Sequence, residues 1–254
     1  MMLSNNDYTD VVIIGAGISG LSAAKALKKR GIQFKLLEAS HRIGGRAYSE
    51  QLSSQNWFDL GCSYLHNGAI NPFVAIAREL GFPIDVKNGN LFDSQKTHYY
   101  SNGKKIDLGL PDPFDKYHDH LLRKIKNSKT DKSLAELMDF NDPFFPISCH
   151  LYTSLNAADP DLVSSKDYEA SLYKGPDYPI PRSFGNLINK WGRDISVSLN
   201  TKVNQLNWED SMIKLKTSKG SLRTKKVILT VSTGILSAGD IKIIPKFPKE
   251  TLAA

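Results

Sequence analysis

The chain has 254 residues, 41% of them hydrophobic and 23% charged, which suits one large or two modest domains with real cores and excludes a disordered chain. Its formal net charge is +7, but the cations are scattered (Lys28, Lys29, Arg30; Arg123, Lys124, Lys126; Lys214, Lys216; Lys225, Lys226), as on a solvated surface and not as in a nucleic-acid footprint. Two cysteines, Cys62 and Cys149, exclude a disulfide scaffold and a cysteine-built metal site. They fit a reducing, cytoplasmic compartment. MMLSNNDYTD has neither the basic nor the apolar region of a signal peptide, and no apolar run approaches the roughly 18 residues of a membrane span. A soluble chain with no membrane or nucleic-acid partner is expected.

Val11 to Ile14 is an all-apolar, β-branched run, which predicts a strand covered on both faces of a parallel sheet. GAGISG follows at once with Gly15, Gly17 and Gly20. Ile18, Leu21, Ala24 and Leu27 then recur about once per turn, Lys28, Lys29 and Arg30 sit where cations favour the helix dipole, and Gly31 supplies a left-handed stop. A second strand, Gln33 to Leu37, ends in Glu38. A G-x-G-x-x-G run between strand and helix, with an acid about 20 residues on, is a dinucleotide-binding fingerprint. Gly15 permits the tight turn, Gly17 lets backbone reach a pyrophosphate, Gly20 lets the helix pack on the strand, and Glu38 accepts from ribose hydroxyls. A βαβ unit with no ligand is the alternative.

The stretch Leu36 to Arg46, LLEASHRIGGR, adds something that a simple nicotinamide site does not need. Gly44 and Gly45 suggest a second close approach of backbone to ligand, and Arg42 and Arg46 offer fork-shaped donors suited to phosphate. A surface turn with two solvated arginines is the bland alternative.

Further along, Asn71 and Pro72 open a helix whose stripe is Phe73, Ile76, Ala77 and Leu80 and which Gly81 and Pro83 end. Residues 84 to 113 are punctuated by Gly and Pro around a predicted strand, Lys96 to Tyr100, and place a domain boundary near residue 85. Phe114, Tyr117, Leu121, Leu122 and Ile125 form a helical stripe, and Ser133 to Glu136 reads as a capping box. His118 and His120 would point to different helix faces, a poor chelate, so no metal is expected. Asp142 to Pro146 and Pro176 to Pro181 read as loops. A short helix from Ser183 to Trp191 precedes strand-like runs at Ile195 to Leu199, Val203 to Trp208, Met212 to Thr217 and Val227 to Val231, with a turn at Lys219 and Gly220.

Four blocks, DVVIIGAGISGLSAAKAL, LLEASHRIGGR, FDLGCSYLH with the following NPF, and VILTVSTGIL with IKIIP, resemble in this order the FAD-dependent amine oxidases, which include monoamine and polyamine oxidases. The resemblance spans most of residues 8 to 248. It implies an α/β fold: a Rossmann-like FAD-binding domain with a parallel sheet and β-meander (1–85 and 190–240), and an inserted partial α+β substrate domain (86–189 and 241–254). It implies FAD contacts at Gly15, Gly17, Ile18, Ser19, Gly20, Glu38 and Ala39. A second group is Arg42, Gly44, Gly45 and Arg46 beside the pyrophosphate and ribityl chain. Gly61, Cys62, Ser63, Tyr64 and Leu65 would line the flavin ring, Val203 would touch adenine through its backbone, and Thr230, Val231 and Ser232 would lie near the adenosine. His66 matches a histidine that many polyamine oxidases present to substrate; on its residues alone it reads as a structural histidine.

Family members are substantially longer, so the chain is expected to be a truncated form matching their N-terminal half. The active-site lysine and a late glycine-rich segment fall in the unmatched half, and no catalytic residue is assigned here. Noncovalent FAD is expected because the cysteine that monoamine oxidases use for attachment also falls there. The expected activity is oxidation of small-molecule amines, with molecular oxygen as the electron acceptor. Two alternatives stay open: a non-catalytic FAD-binding or interaction remnant, and another FAD oxidoreductase such as an L-amino-acid oxidase or carotenoid desaturase.

Overall fold

A computed structural model describes residues 7–54, 56–87, 89, 98–107, 113–172, 175–181, 183–248 and 251. In chain order the elements are β1 (Asp7–Ile14), α1 (Ile18–Lys29), β2 (Phe34–Leu37), β3 (Ser49–Gln51), β4 (Trp57–Asp59), β5 (Tyr64–Leu65), α2 (Pro72–Glu79), β6 (Tyr99–Ser101) and β7 (Lys104–Ile106). They continue with α3 (Pro113–Asn127), α4 (Leu134–Leu137), α5 (Phe145–Asn156), α6 (Ser165–Ser171), β8 (Tyr178–Pro179) and α7 (Phe184–Gly192). The last are β9 (Val203–Asn207), β10 (Ile213–Thr217), β11 (Gly220–Leu229), α8 (Thr233–Ser237) and β12 (Lys242–Ile244). Two compact units form: Met1–Leu65, Ile70–Val86 and Tyr178–Ala254 make the first, and His66–Ala69 with Lys87–Asp177 the second.

The first unit is built on a six-stranded sheet in the order β12-β9-β10-β11-β1-β2. β1 pairs in parallel with both β2 and β11, while β9, β10 and β11 form an antiparallel meander. The apolar run of β1 is explained by its two covered faces. Ile13 joins Leu21, Ala24, Leu36, Leu187 and Ile188 on the helix side, and Val12 and Ile14 join Leu37, Val203, Leu206, Leu215 and Leu222 on the meander side. The α/β class with parallel sheet and meander is therefore as the sequence predicts.

The second unit packs α3, α4, α5 and α6 around Tyr117, Leu121, Ile125, Leu134 and Tyr152. The capping box holds: Ser133 Oγ accepts from the Glu136 N–H at 3.3 Å and Glu136 Oε2 from the Ser133 N–H at 2.8 Å. His118 Nδ1 lies 2.6 Å from the Tyr152 hydroxyl. Burial lowers the His118 pKa from its ordinary 6.5, against the pull of Asp119 and Asp115, and pushes the Tyr152 phenol far up, so both partners are neutral and the imidazole tautomer sets which one donates. The unfolded chain binds a proton there more readily than the fold, so this contribution is full above 6.5 and is lost as pH falls through the lower folded value. Urea midpoints are expected to drop from neutral pH to about pH 5, and His118→Gln to flatten that slope, at a cost of about 1 kcal/mol at neutral pH. An unchanged slope in the variant would remove His118 as the cause.

Several elements differ from the sequence expectation. The compact first unit resumes at Tyr178, not at the expected 190, and β12 (Lys242–Ile244), expected in the other domain, pairs with β9 in its sheet. Ile195 to Leu199 is not a strand: one bridge joins Ser198 to Leu37, and Asn200 at φ 51° turns the chain away. Asp142 to Pro146 runs into α5, since Pro146 in a first turn costs no intrahelical bond. Tyr178 and Pro179 pair with β5 inside the expected loop. Lys96 and Thr97 of one predicted strand lie outside the described residues. No described helix is long and apolar enough to cross a membrane.

Candidate functional site

The exit of β1 is held from three sides. Gly15 at φ 102° donates its N–H to the Leu37 carbonyl at 2.8 Å. Thr230 Oγ1 sits 2.8 Å from the Ile14 carbonyl and 3.0 Å from that of Gly15. A methyl group at Gly20 would stand 1.8 Å from the Gly15 carbonyl oxygen, so α1 can approach β1 only without a side chain there. Gly17 is different. Its φ is −72°, open to any residue, and a Cβ there would meet nothing within 4 Å. The glycines Gly31, Gly81, Gly103 and Gly239 also have open space, but each has a positive φ that explains it. Neither conformation nor protein packing requires glycine at 17, and the space in front of it is open. Gly17 caps α1 with no side-chain hydrogen bond, the first turn holds no acid, and Ile18 and Ser19 are half-buried and exposed. Such a helix start attracts an anion.

The second glycine loop meets the first. Gly17 and Gly44 form a parallel β-bridge, and the Gly44 N–H donates to the Ala16 carbonyl at 2.9 Å. A Cβ on Gly45 would come within 3.3 Å of Gly17 Cα. Arg42 Nη1 donates to the Gly45 carbonyl at 2.8 Å while its guanidinium lies 3.9 Å from the centre of the Tyr48 ring. Arg42 thus braces the loop from its own side. Arg46 is exposed, and its side chain makes no hydrogen bond or ion pair to a described residue.

Glu38, just beyond β2, is bonded to both loops. Its carboxylate accepts from the Ala16 N–H at 2.7 Å and the Ser40 N–H at 2.9 Å. A carboxylate has about four acceptor positions, so two backbone bonds leave capacity for hydroxyl donors. Ala39 beside it is exposed. The strand end is also tied to a segment that the sequence offered as a strand and not as part of the site: Ser198 accepts from the Glu38 N–H at 3.0 Å, and Thr201 and Asn200 donate to the Glu38 and Ser40 carbonyls at 2.8 Å each. Its alternation of Ile195, Val197 and Leu199 with serines pointed to a strand, which Asn200 in the left-handed region ends. Val203, just beyond, is 4% exposed and its side chain is core.

Residues 60–62 run beside the second loop. The Leu60 N–H donates to the Tyr48 carbonyl at 2.9 Å and the Cys62 N–H to the Arg46 carbonyl at 3.1 Å. Gly61 has no alternative, because a Cβ would lie 1.8 Å from that carbonyl. Cys62 is exposed at its edge, yet desolvation by its neighbours raises its thiol pKa, with Arg46 pulling the other way. Ser63 Oγ donates to the Gly61 carbonyl at 3.2 Å, and Tyr64 pairs with Pro179. The fold therefore links Gly15, Gly17, Gly20, Gly44, Gly45, Arg46, Gly61, Cys62 and Thr230 in one contiguous patch, with Glu38 joined to it through the Ala16 backbone. His66 belongs to the second unit, where its Nδ1 lies 3.0 Å from Asp177 Oδ1. No described cluster of His, Cys, Asp and Glu could hold a metal ion.

A family model described as flavin containing amine oxidoreductase matches residues 18–254. The chain belongs to this family. Among curated relatives, the flavin-containing amine oxidase of Danio rerio is 38% identical over 111 residues, covering 44% of this chain and 20% of that protein. Polyamine oxidase 3 of Oryza sativa subsp. japonica is 25% identical over 265 residues, covering 94% of this chain and 54% of that protein. The chain thus spans about half the length of this oxidase. Cyclohexylamine oxidase from Brevibacterium oxydans IH-35A shares the fold with a TM-score of 0.73 at 23% identity, over 96% of this chain and 62% of that one. The flavin implied by the family suits the residues present: open space at Gly17, two converging runs of backbone, an unpaired arginine and a carboxylate with spare acceptors.

Proposed function

We propose that this chain supplies the noncovalent FAD-binding part of an amine oxidase acting on small-molecule amines. The bridge between Gly17 and Gly44 carries the proposal, because it brings two glycine-rich backbones to one place where a diphosphate can lie between the α1 terminus and Arg46. Bound FAD would supply the oxidising chemistry, accepting hydride from the carbon beside the amine nitrogen and returning electrons to molecular oxygen as hydrogen peroxide. The Gly17, Ile18 and Ser19 amides would face the diphosphate, with Gly15 and Gly20 permitting the approach. Arg46 would balance its charge while Arg42, already bonded to Gly45, holds the loop. Glu38, and Ala39 beside it, would meet the ribose, and Val203 and Thr230 the adenosine side. Gly61, Cys62, Ser63 and Tyr64 would border the flavin ring, and the cysteine fits there as a neutral thiol. His66 would face the substrate, a role that rests on the family resemblance. Cys62 and Cys149, both free, support a reducing, cytoplasmic setting.

One observation favours a second reading. The chain spans 54% of a matched polyamine oxidase, so the segment by itself would bind FAD without turning over amines. Both are tested on the purified chain after FAD is added and the excess removed. Yellow flavin bands are expected; their absence would overturn the proposal. A panel of monoamines, polyamines and amino acids is then added without oxygen. Bleaching by amines supports oxidation, a spectrum that no compound bleaches supports binding alone, and bleaching by amino acids only would overturn the amine assignment.

A further inference from the structure

We infer that Ser49 and Asp59 form a positioning lock that fixes residues 60–62 against the Arg46–Tyr48 backbone; it rests on the proposed cofactor site only for the purpose that segment serves. The lock begins with a cross-strand pair, since Ser49 on β3 stands opposite Asp59 at the end of β4. Ser49 Oγ donates to Asp59 Oδ1, and the same carboxylate oxygen accepts the Phe184 N–H at 3.1 Å. Ser49 Oγ in turn accepts the Gly185 N–H at 2.9 Å. Two amides in the first turn of α7, which has no acid of its own there, are thereby satisfied by one hydroxyl and one carboxylate from the hairpin.

The fit is tight enough to transmit position. A Cβ on Gly185 would stand 2.7 Å from the Ser49 nitrogen, so helix and hairpin touch backbone to backbone. Ser183, 2% exposed and at φ 83°, takes a backbone conformation rare for a side-chain-bearing residue and caps the Asn186 N–H at 3.0 Å. α7 also lies under both glycine loops: Ile188 is 3.9 Å from where a Gly44 Cβ would be, and Leu21 and Ile43 are 3.0 Å from that of Gly192. The hairpin leads directly into Leu60, Gly61 and Cys62, whose only described backbone anchors are the carbonyls of Tyr48 and Arg46. Asp59 therefore acts mainly by holding its neighbours in place, while its charge adds directly to the desolvation that raises the Cys62 thiol pKa. It ties the segment proposed to border the flavin ring to the helix that supports the segment proposed to hold the diphosphate.

Cys62 reports on this lock without any cofactor. The full chain is labelled with N-ethylmaleimide and each cysteine followed by mass spectrometry. Asp59→Ala is expected to speed labelling of Cys62 about fivefold or more, because a loosened segment relieves the desolvation of the sulfur and the lost carboxylate no longer raises the thiol pKa, while Cys149 in the other unit stays within about twofold. Asp59→Asn, which removes the charge but keeps an acceptor for Phe184, should restore part of the protection, and Ser49→Ala, which keeps the charge, should move Cys62 in the same direction as Asp59→Ala. Unchanged Cys62 labelling in Ser49→Ala, equal labelling in Asp59→Asn and Asp59→Ala, or Cys62 and Cys149 rising together, would overturn the lock. If Asp59→Ala does not fold, Ser49→Ala gives the answer alone, since its carboxylate can still meet Phe184. A wild-type chain that takes up no FAD would overturn the cofactor proposal and leave this labelling result standing.

Discussion

Gly20→Ala and Gly17→Ala are expected to separate folding from binding in one fingerprint. At Gly20 the new methyl would lie 1.8 Å from the Gly15 carbonyl oxygen and 3.0 Å from Thr230 Oγ1, both held by hydrogen bonds to β1 and its neighbours. Backbone cannot swing aside as a side chain can, so overpacking should cost about 3 kcal/mol, or roughly 10 °C in Tm for a domain of this size. At Gly17 the methyl meets no protein atom within 4 Å, and only the mild preference of a helix N-cap for glycine over alanine is lost, well under about 1 kcal/mol. That methyl would occupy the space proposed for the diphosphate, and FAD affinity should fall about 100-fold, close to 2.7 kcal/mol. Thermal unfolding and FAD titration of the two variants check this directly. Equal FAD affinity in Gly17→Ala and wild type would mean that the open space is not where the cofactor lies.

Glu38→Ala carries the second large effect. Its carboxylate holds the Ala16 and Ser40 amides at 2.7 and 2.9 Å, on the two loops that meet at the cleft. Removing it strands two partly buried donors, each worth about 1–3 kcal/mol, so a loss of about 2–6 kcal/mol is expected even before FAD is added. Glu38→Gln keeps one acceptor oxygen but turns an NH2 group towards the second amide, and about half the loss should remain. Both variants should also bind FAD more weakly. A urea midpoint unchanged from wild type in Glu38→Ala would show that the amides find other partners, and would reduce Glu38 to a ligand-facing role. The expected split arises because one side chain serves the fold with two acceptor positions and leaves the rest for the ribose of the proposed cofactor.

The local chemistry of the site was legible because it is written in short-range rules. Gly15 and Gly20 are required by φ and by a carbonyl, Gly31 and Gly81 stop helices at φ 68° and 73°, and Asn71 and Ser133 cap through their own side chains. The apolar run of β1 announced two covered faces. What stayed hidden depends on partners far away in sequence. Arg42 looked like a phosphate ligand, but its Nη1 is bonded to the Gly45 carbonyl, and only the path of the loop shows that. Asp59 and Ser49 are unremarkable in sequence, and their role depends on α7 arriving from residues 183–185. Ile195 to Leu199 has a strand's alternation, yet it makes one bridge to β2 before Asn200 turns the chain, and nothing in its own residues says so.

The amino-acid order alone determined the βαβ start, the two glycine runs, the acid that follows them and the family to which they point, since each is a matter of backbone freedom or periodicity within a few residues. The meeting of Gly17 with Gly44, the course of residues 60–62 against Arg46 and the sharing of Glu38 between two loops were decided only by tertiary structure. The reason is physical: a glycine such as Gly61 records that space is excluded, but neither it nor a hydrogen-bonding group specifies which distant part of the chain supplies the partner.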